Sequence, residues 1–340
     1  MQEFIFHYGL FLAKTVTLVV ALGAIVILIA VSLRESRRGG GERLEIKHVN
    51  QQLEHAADVL NAELLNDAEY KLYAKARKQQ EKSRQKAPGN ESTPRLFVLD
   101  FIGDLEASAV ESLREEISAL LQVTRSGDEV LLRLESAGGV VQGYGLAASQ
   151  LRRLRDRGLR LTIAIDKVAA SGGYLMASVA DHIVAAPFAI VGSIGVVGQL
   201  PNFSRLLRDN KIDYEMHTAG EYKRTLTIFG ENTDEGRAKF REELEQVHQL
   251  FKGFVAANRP KLELTPVTTG EYWYGSQALA LGLVDELKTS DDLLLQAAAK
   301  SAVYTVRHRP PRNLRKWLLG GLGGSLGAAT GLHHKLLQLP

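Results

Sequence analysis

The stretch LRLTIAIDKVAASGGYLMAS (159–178) joins an apolar strand pattern to a run of small residues that favours a helix. Its first eight residues are mostly aliphatic or β-branched, which is typical of a buried strand. Gly172 and Gly173 follow Ser171 directly, and glycine permits both a sharp turn and a close approach of two backbones. The stretch therefore predicts a strand, a tight turn at Ser171 and a helix packed closely behind it.

The same alternation of strand and helix patterns begins at Arg95 and continues through this stretch. Strands separated by helices predict a largely parallel α/β sheet that is covered on both faces. The predicted strands are 95–101, 129–135, 159–166 and 181–187, and the predicted helices are 106–122 and 141–157. Ligands bind beyond the carboxyl ends of the strands in such sheets, so the residues after each strand are the candidates for a site.

An uncharged apolar segment lies near the N-terminus. No residue between Thr15 and Leu33 carries a charge, and at about 1.5 Å rise per residue the segment spans roughly the 30 Å hydrocarbon core of a bilayer. The arginines Arg34, Arg37 and Arg38 follow the apolar run, whereas a signal peptide has its basic residues before the run and a small-residue cleavage site after it. The pattern therefore predicts an uncleaved, single-pass anchor.

A helical stalk is predicted between the anchor and the α/β pattern. The stretch 71–86 is dense in lysine, arginine and glutamine, and APGNESTP (87–94) has the composition of a linker. Apolar residues at helical spacing precede them and predict an amphipathic helix, which either pairs with a second copy of itself or is a solvated stalk. These residues are Ile46, Val49, Leu53, Ala56 and Leu60.

The composition removes several classes of function. The 340 residues contain no cysteine, which excludes disulfides, thiolate catalysis and cysteine-based metal sites. No HExxH, EF-hand, GxxxxGKS or GxxxxGKT pattern occurs, so neither a metal mechanism nor a phosphate-binding loop has sequence support. The basic residues are concentrated in 34–47, 71–86 and 307–316, which points to anionic lipid. Those runs lack interleaved aromatic residues, so nucleic acid is the weaker interpretation.

Two glycine-containing turns follow predicted strands. In SAGGVV (136–141) the glycines Gly138 and Gly139 either expose N–H groups as half of an oxyanion hole or form an ordinary strand-to-helix turn. Ser171 stands at a helix start, where the helix dipole and the Gly172 N–H would face a developing oxyanion, or where the serine simply caps the helix. Taken singly, both turns favour the ordinary structural interpretation.

The segment HTAGEYKRT (217–225) predicts a loop that carries Lys223. A loop lysine is usually solvated, and it acts as a base near neutral pH only when burial removes much of its solvation. A serine and such a lysine form a dyad that needs no acidic third member. His217 in the same segment is the alternative base, which would give a Ser-His mechanism.

In these residues the chain resembles the signal peptide peptidase A / SohB family of membrane-bound Ser-Lys serine proteases. The resemblance covers about residues 95–290 and depends on several motifs in a fixed order. The motifs are SAGG at 136, AASGGY at 169, GSIGV at 192, GEYKRT at 220 and WYGSQALALGLVDEL at 273. One position departs from the family pattern, because Ala137 stands where the family usually has proline in an SPGG turn.

The resemblance implies a ClpP/crotonase-like fold, serine endopeptidase activity without a cofactor or metal, and assembly into a homo-oligomeric ring. It makes Ser171 the nucleophile and Lys223 the general base, which acts on the serine of its own chain or of an adjacent one. The implied oxyanion donors and supporting hydroxyl come from Gly138, Gly139, Gly172 and Ser193.

Four regions are then expected along the chain. They are the transmembrane anchor with its flanks (1–38), a helical basic stalk and linker (39–94), a ClpP/crotonase-like peptidase domain (95–300) and a basic, glycine-rich C-terminal tail (301–340). Within the tail, Trp317–Leu332 either touches the membrane surface, since it is too short for a comfortable span and its glycines weaken any helix, or is a disordered C-terminus.

The sequence also leads to expectations about where the protein lies and what it cleaves. The resemblance implies the bacterial inner membrane and apolar, extended substrates, such as signal-peptide remnants or misfolded membrane and envelope proteins. It favours the periplasmic face, whereas the arginines after the anchor favour the cytoplasmic face, so both stay open. Two other classes of function remain as alternatives, a crotonase-like acyl-CoA enzyme and a catalytically silent membrane scaffold.

Overall fold

The structure is a computed structural model that describes residues 2–37, 43–86 and 94–310. Glu45–His308 form one compact unit, and α1 (Gln2–Arg37) belongs to a separate unit. Among the side chains that the structure describes, Phe6–Gly23 of α1 are long and apolar enough to cross a membrane, by length and composition alone. The predicted membrane contact of Trp317–Leu332 lies outside the described residues.

A seven-stranded sheet forms the centre of the compact unit. Its strand order is β1-β10-β2-β3-β4-β6-β9, and every pair from β10 to β9 is parallel. The strands are β1 (Arg43–His48), β2 (Arg95–Ile102), β3 (Glu129–Glu135), β4 (Arg160–Ile165), β6 (His182–Ala185), β9 (Glu286–Leu287) and β10 (Ala302–Arg309). The predicted parallel α/β architecture is therefore observed.

A second, smaller sheet is built from three strands of three residues each. Their order is β5-β7-β8, with β5 and β7 parallel and β7 and β8 antiparallel. The strands are β5 (Val168–Ala170), β7 (Ile190–Gly192) and β8 (Tyr272–Tyr274). Strands this short carry no readable periodicity, and residues 167–170 were therefore predicted as part of the turn after β4.

The compact unit also contains nine α-helices among the described residues, and the buried apolar faces of several of them form the core of the large sheet. They are α2 (Val49–Leu64), α3 (Asp67–Lys86), α4 (Val110–Val123), α5 (Val141–Asp156), α6 (Gly172–Ala177), α7 (Ser204–Asp209), α8 (Asp234–Asn258), α9 (Gly275–Ala280) and α10 (Ser290–Ala298), with a 3-10 turn at Thr265–Val267. The inner face of α5 is fully buried and includes Tyr144, Leu151 and Leu154. Because α5 follows the SAGG turn directly, this burial fixes the position of that turn.

The predicted stalk helix is wrong at its start. Ile46 lies in β1, whose Leu44 and Ile46 alternate with polar residues, and a short run of that kind fits a strand as well as a helix. Val49 is buried, and Leu53 packs against the cluster on the outer face of the sheet, so part of the predicted stripe has a partner within the chain. Leu60 is exposed. Together, β1 and β10 extend the sheet beyond the predicted 95–300 on both sides.

Candidate active site

Ser171 occupies a strained turn between a strand and a helix. It follows β5 and precedes α6, and its backbone angles are φ 52° and ψ −119°. A non-glycine residue with positive φ is costly, and such strain is found where a side chain must be presented in one direction. A strained strand-to-helix turn of this kind exposes the nucleophilic serine of other hydrolases.

Backbone hydrogen bonds hold this turn on both sides. The Ser171 N–H donates to the carbonyl of Gly192 at 2.8 Å, and the Ala170 N–H donates to that of Ser136 at 3.0 Å. The Ser171 hydroxyl, in contrast, makes no capping bond to α6 and has no hydrogen-bond partner among the described residues. Ser171 is therefore not an ordinary helix cap, and its hydroxyl is free to react.

The SAGG turn packs directly against the serine. Gly138 has φ +94°, and a Cβ placed on it would lie 2.7 Å from the Cβ of Ser171. Its N–H donates to the Ser136 hydroxyl at 3.1 Å. The N–H groups of Gly139 and Gly172 donate to no acceptor within the described part of the chain. Two unused backbone donors thus belong to the residues that surround the Ser171 side chain.

A buried polar network supports the turn from behind. The Ser136 and Tyr144 hydroxyls are 2.5 Å apart, and Tyr144 donates to the carbonyl of Asp104 at 2.8 Å. Both side chains are essentially inaccessible to solvent. Burial raises the pKa of Tyr144, so its phenol stays protonated and remains a donor. Neither role could be predicted from the sequence, because Ser136 stands inside the SAGG motif and a tyrosine on a helix face is most often a core residue.

An apolar groove of about 470 Å³ opens beside Ser171. It runs between the start of α5, the residues after β7 and the second half of α8. Its apolar lining consists of Val141, Leu175, Val196, Val197, Val247, Leu250, Phe251 and Phe254. Since no acidic side chain lines it, the carboxylates that an acyl-CoA enzyme of the crotonase type would need are absent from the described groove.

Ser193 lies beside the nucleophile. Ala170 of β5 pairs with Gly192 of β7, so the next position in this parallel register sets Ser193 next to Ser171. Ser193 is half-buried and has φ 51°, a second strained serine at the same edge. The structure thus brings together Ser171, Gly138, Gly139, Gly172 and Ser193.

Lys223 is not part of this group within one chain. It is exposed, does not line the groove, and its ammonium has no hydrogen-bond or ion-pair partner among the described residues. The surrounding segment is loop, as predicted, and the alternative base His217 is also exposed, 3.5 Å from Glu215. Neither candidate base reaches the groove lining in this chain.

The lysine segment is nevertheless attached to the start of α8. Lys239 lies 5.0 Å from the centre of the Tyr222 ring, and Thr225 faces Glu243 at 3.5 Å. Later turns of the same helix supply Val247 and other residues of the groove. One helix therefore connects the segment that carries Lys223 with the groove beside Ser171.

Known proteins are similar to this chain over most of its length. Two protein-family models match the chain: the model Peptidase family S49 N-terminal matches residues 3–151, and the model Peptidase family S49 matches residues 153–304. Probable protease SohB of Haemophilus influenzae is 47% identical over 326 residues, which covers 93% of this chain and 92% of that protein. Probable protease SohB of Buchnera aphidicola subsp. Schlechtendalia chinensis is 48% identical over 304 residues, which covers 86% and 99%. A solved structure of the 1510-N membrane-bound stomatin-specific protease with a substrate peptide aligns at 12% identity and a TM-score of 0.40, over 60% of this chain and 80% of that chain.

Proposed function

The chain belongs to peptidase family S49 and is a serine-type peptidase, and from that premise we propose that it is a membrane-anchored endopeptidase with a Ser171–Lys223 dyad. The observation that carries the proposal is the turn at Ser171. Its hydroxyl makes no cap bond, its backbone is strained, and unused N–H groups belong to its neighbours.

The proposed reaction is acyl transfer to the serine. Neutral Lys223 takes the Ser171 proton while Oγ forms a bond to the peptide carbonyl carbon, and the carbonyl oxygen becomes an oxyanion. Collapse breaks the C–N bond, and the proton passes from Lys223 to the leaving amine. Water then attacks the acyl-enzyme with Lys223 again as base, which releases the acid and restores the serine.

We assign the oxyanion donors to Gly139 and Gly172. The N–H of Gly138 already donates to Ser136, whereas the other two N–H groups have no described acceptor. Gly138 then serves as the position whose positive φ and missing side chain let the turn touch Ser171. Donors fixed in this way stabilise the tetrahedral intermediate without reorganisation.

Lys223 is proposed to reach the serine of an adjacent chain in a closed homo-oligomeric ring. It lies outside the groove of its own chain, and the residues on either side of its segment leave large apolar side chains partly exposed. Phe203, Tyr214 and Phe229 are each more than two-fifths exposed. An exposed apolar segment of this kind marks an interaction surface, and closed symmetry limits its growth.

The finer parts of the proposal concern fold, substrate and place. The Ser171 turn between a strand of a parallel pair and a helix supports a ClpP/crotonase-type domain. The apolar groove suits apolar, extended peptides such as signal-peptide remnants or misfolded membrane and envelope proteins. The helix α1 supports anchoring at the bacterial inner membrane, with the periplasmic face favoured. The anchor would hold the groove near substrates that leave the bilayer.

Labelling of Ser171 tests the proposal against the silent-scaffold alternative. An alkyl fluorophosphonate should modify the full chain in detergent at Ser171 only, as read by peptide mass spectrometry, and Ser171→Ala should abolish the label. Mixing Ser171→Ala chains with Lys223→Ala chains should restore part of the activity on a quenched fluorogenic peptide of alanine, valine and leucine. Labelling elsewhere, or none, would contradict the dyad, and no recovery despite proven co-assembly would confine it to one chain.

A further inference from the structure

We infer that Ser136 and Tyr144 are positioning residues, which together hold the Gly139 and Gly172 N–H groups in register to receive the oxyanion. The inference rests on the proposed function and deepens it, because it names what sets the geometry of the donors. It concerns two buried hydroxyls that the proposed mechanism does not itself use.

The hydrogen bonds form one chain with a single direction. The Gly138 N–H donates to the Ser136 hydroxyl, that hydroxyl donates to Tyr144, and Tyr144 donates to the Asp104 carbonyl. The last bond fixes the direction of the others, since the phenol has only one proton to donate. The loop amide of Gly138 is thereby tied, through two side chains, to the backbone after β2.

Tyr144 also touches the other donor. A Cβ on Gly172 would collide with the Cγ of the Tyr144 ring, so ring and glycine are already in close contact. The ring supports Gly172 while the hydroxyl, through Ser136, supports the turn that ends in Gly139. One side chain therefore contacts both donor-bearing segments, in addition to the backbone bond from the Ala170 N–H to the Ser136 carbonyl that joins them.

Loss of the network has a specific consequence for Gly138. Ser136→Ala would remove the acceptor of this part-buried amide, and Tyr144→Phe would leave the Ser136 hydroxyl without the partner that orients it. An N–H that loses its acceptor, or whose acceptor turns away, is costly enough to drive a rearrangement. A glycine at φ +94° has the conformational freedom to rotate the following peptide, and that peptide carries the Gly139 N–H. The donor would then turn away from the oxyanion while Ser171 and the groove stay in place.

Tyr174 provides a matched control for this role. It is also fully buried, and its hydroxyl also donates to one backbone carbonyl, that of Leu283 at 2.9 Å. Its hydrogen bond has no connection to the SAGG turn. Tyr144→Phe and Tyr174→Phe therefore remove the same atom from equally buried sites, and only the first one breaks the network.

The experiment compares these variants of the full chain on the fluorogenic peptide of alanine, valine and leucine. Tyr144→Phe should lower kcat about ten-fold and leave KM within two-fold, since donors that bind only the transition state act on kcat. Tyr174→Phe should leave kcat and KM within two-fold of the wild-type values, even if it lowers Tm as much as Tyr144→Phe does. Ser136→Ala should repeat the kcat loss, and the double variant Ser136→Ala/Tyr144→Phe should lose no more than the larger single loss, because both act in one network.

Each result decides the inference. If Tyr144→Phe fails to fold, Ser136→Ala against Tyr174→Phe makes the same comparison. Equal kcat values for Tyr144→Phe and Tyr174→Phe, or fully additive losses, overturn the positioning role and leave the dyad intact. A wild-type chain that neither cleaves the peptide nor accepts the fluorophosphonate overturns the proposed function itself, and this role with it.

Discussion

The two residues of the proposed dyad lie in regions of opposite character. Ser171 and the SAGG turn pack against β3, β5 and α5, and the N–H groups of Ala170, Ser171 and Gly138 have acceptors there. Lys223 lies in an exposed segment with little regular structure, which touches the rest of the chain mainly at the first turns of α8. One chain therefore fixes the proposed nucleophile and its proposed oxyanion donors, whereas it leaves Lys223 exposed and away from them.

Two glycines show the contrast at the level of single atoms. Gly138 and Gly220 have nearly the same positive φ, +94° and +97°. A Cβ on Gly138 would meet Ser171 and Gly172, whereas a Cβ on Gly220 would meet nothing within 4 Å. The same positive φ therefore allows close packing around Gly138, whereas around Gly220 it only changes the direction of the chain.

The largest expected effect tests whether the exposed region is catalytic at all. Ser171→Ala and Lys223→Ala should each lower kcat by about a thousandfold or more, because each removes a member of one catalytic unit. Lys223→Arg should lower kcat by the same factor, since arginine stays protonated and accepts no proton. Peptide cleavage measures the loss, and an unchanged Tm shows that the fold is intact.

His217→Ala is the matched control, because it changes a neighbouring exposed residue of the same segment. It should retain activity within about two-fold. Loss of activity in His217→Ala together with near-normal activity in Lys223→Ala would replace the Ser-Lys assignment with a Ser-His one.

The glycine pair gives the second test. Gly138→Ala should cost about a hundredfold in kcat, because the new methyl group displaces Ser171 or the donor turn and donors of this kind are worth that much. Gly220→Ala carries the same left-handed strain of roughly 1–2 kcal/mol but meets no neighbour. We expect it to change kcat by less than about five-fold. Equal losses would mean that assembly packs the segment around Gly220 as tightly as the interior.

The difference between the two regions also explains what sequence could predict. The matches to peptidase family S49 confirm the predicted family, and the main strands and helices from 95 to 187 lie close to their predicted positions. Ser171 and the glycines became candidates because strained turns require particular residue types at particular spacings, and the resemblance then gave them their predicted roles. The role of Tyr144 was not predicted, because it depends on the residues that contact Tyr144 from other parts of the chain. The strands β5, β7 and β8 were not predicted, because three residues are too few to show a strand periodicity.

The resemblance decided the roles of Lys223 and Ser193 as well, and the roles of all these site residues stay predictions. Nothing local to GEYKRT distinguishes a catalytic lysine from a solvated one, since the distinction depends on contacts beyond the segment. The apolar stripe at 46–60 was predicted to lack a partner within the chain, and this was wrong for Val49 and Leu53. The residues that cover them come from distant strands and from α10, so their contacts could not be predicted from the local sequence.

A pH experiment separates catalysis by the base from stability of the fold. Burial raises the pKa of Glu116 from its ordinary 4.5 to about 7, with Asp100 adding to the effect and the His308 N–H and Arg307 opposing it. The folded chain therefore holds this proton more tightly than the unfolded chain does. Stability should fall as pH rises from about 4.5 to 7, by up to about 3 kcal/mol, and the loss should be complete above 7.

Glu116→Gln should remove this loss, because its amide oxygen can still accept the His308 N–H at 2.7 Å and carries no charge. Its Tm should match the wild type near pH 5 and exceed it near pH 8. A lysine base predicts the opposite slope for activity, which should rise with pH along one ascending limb. An activity limb that moves with Glu116→Gln would show that folding, and not the base, controls the profile.

The smallest expected effect concerns the one position where the turn departs from its family. Ala137 is exposed, its N–H donates to no described residue, and the family usually has proline there, so the backbone of this turn suits a fixed φ. Ala137→Pro should stabilise the chain by about 0.4–1 kcal/mol, because it lowers the conformational entropy of the unfolded chain. Activity should stay unchanged, since the Ser136–Tyr144 network already holds Gly138.

Ala219→Pro is the matched control, because it places proline before Gly220 in the exposed segment and so measures the effect of proline itself. A fall in Tm or kcat for Ala137→Pro alone would show that alanine is required in this turn, and that its geometry differs from that of a proline-containing one.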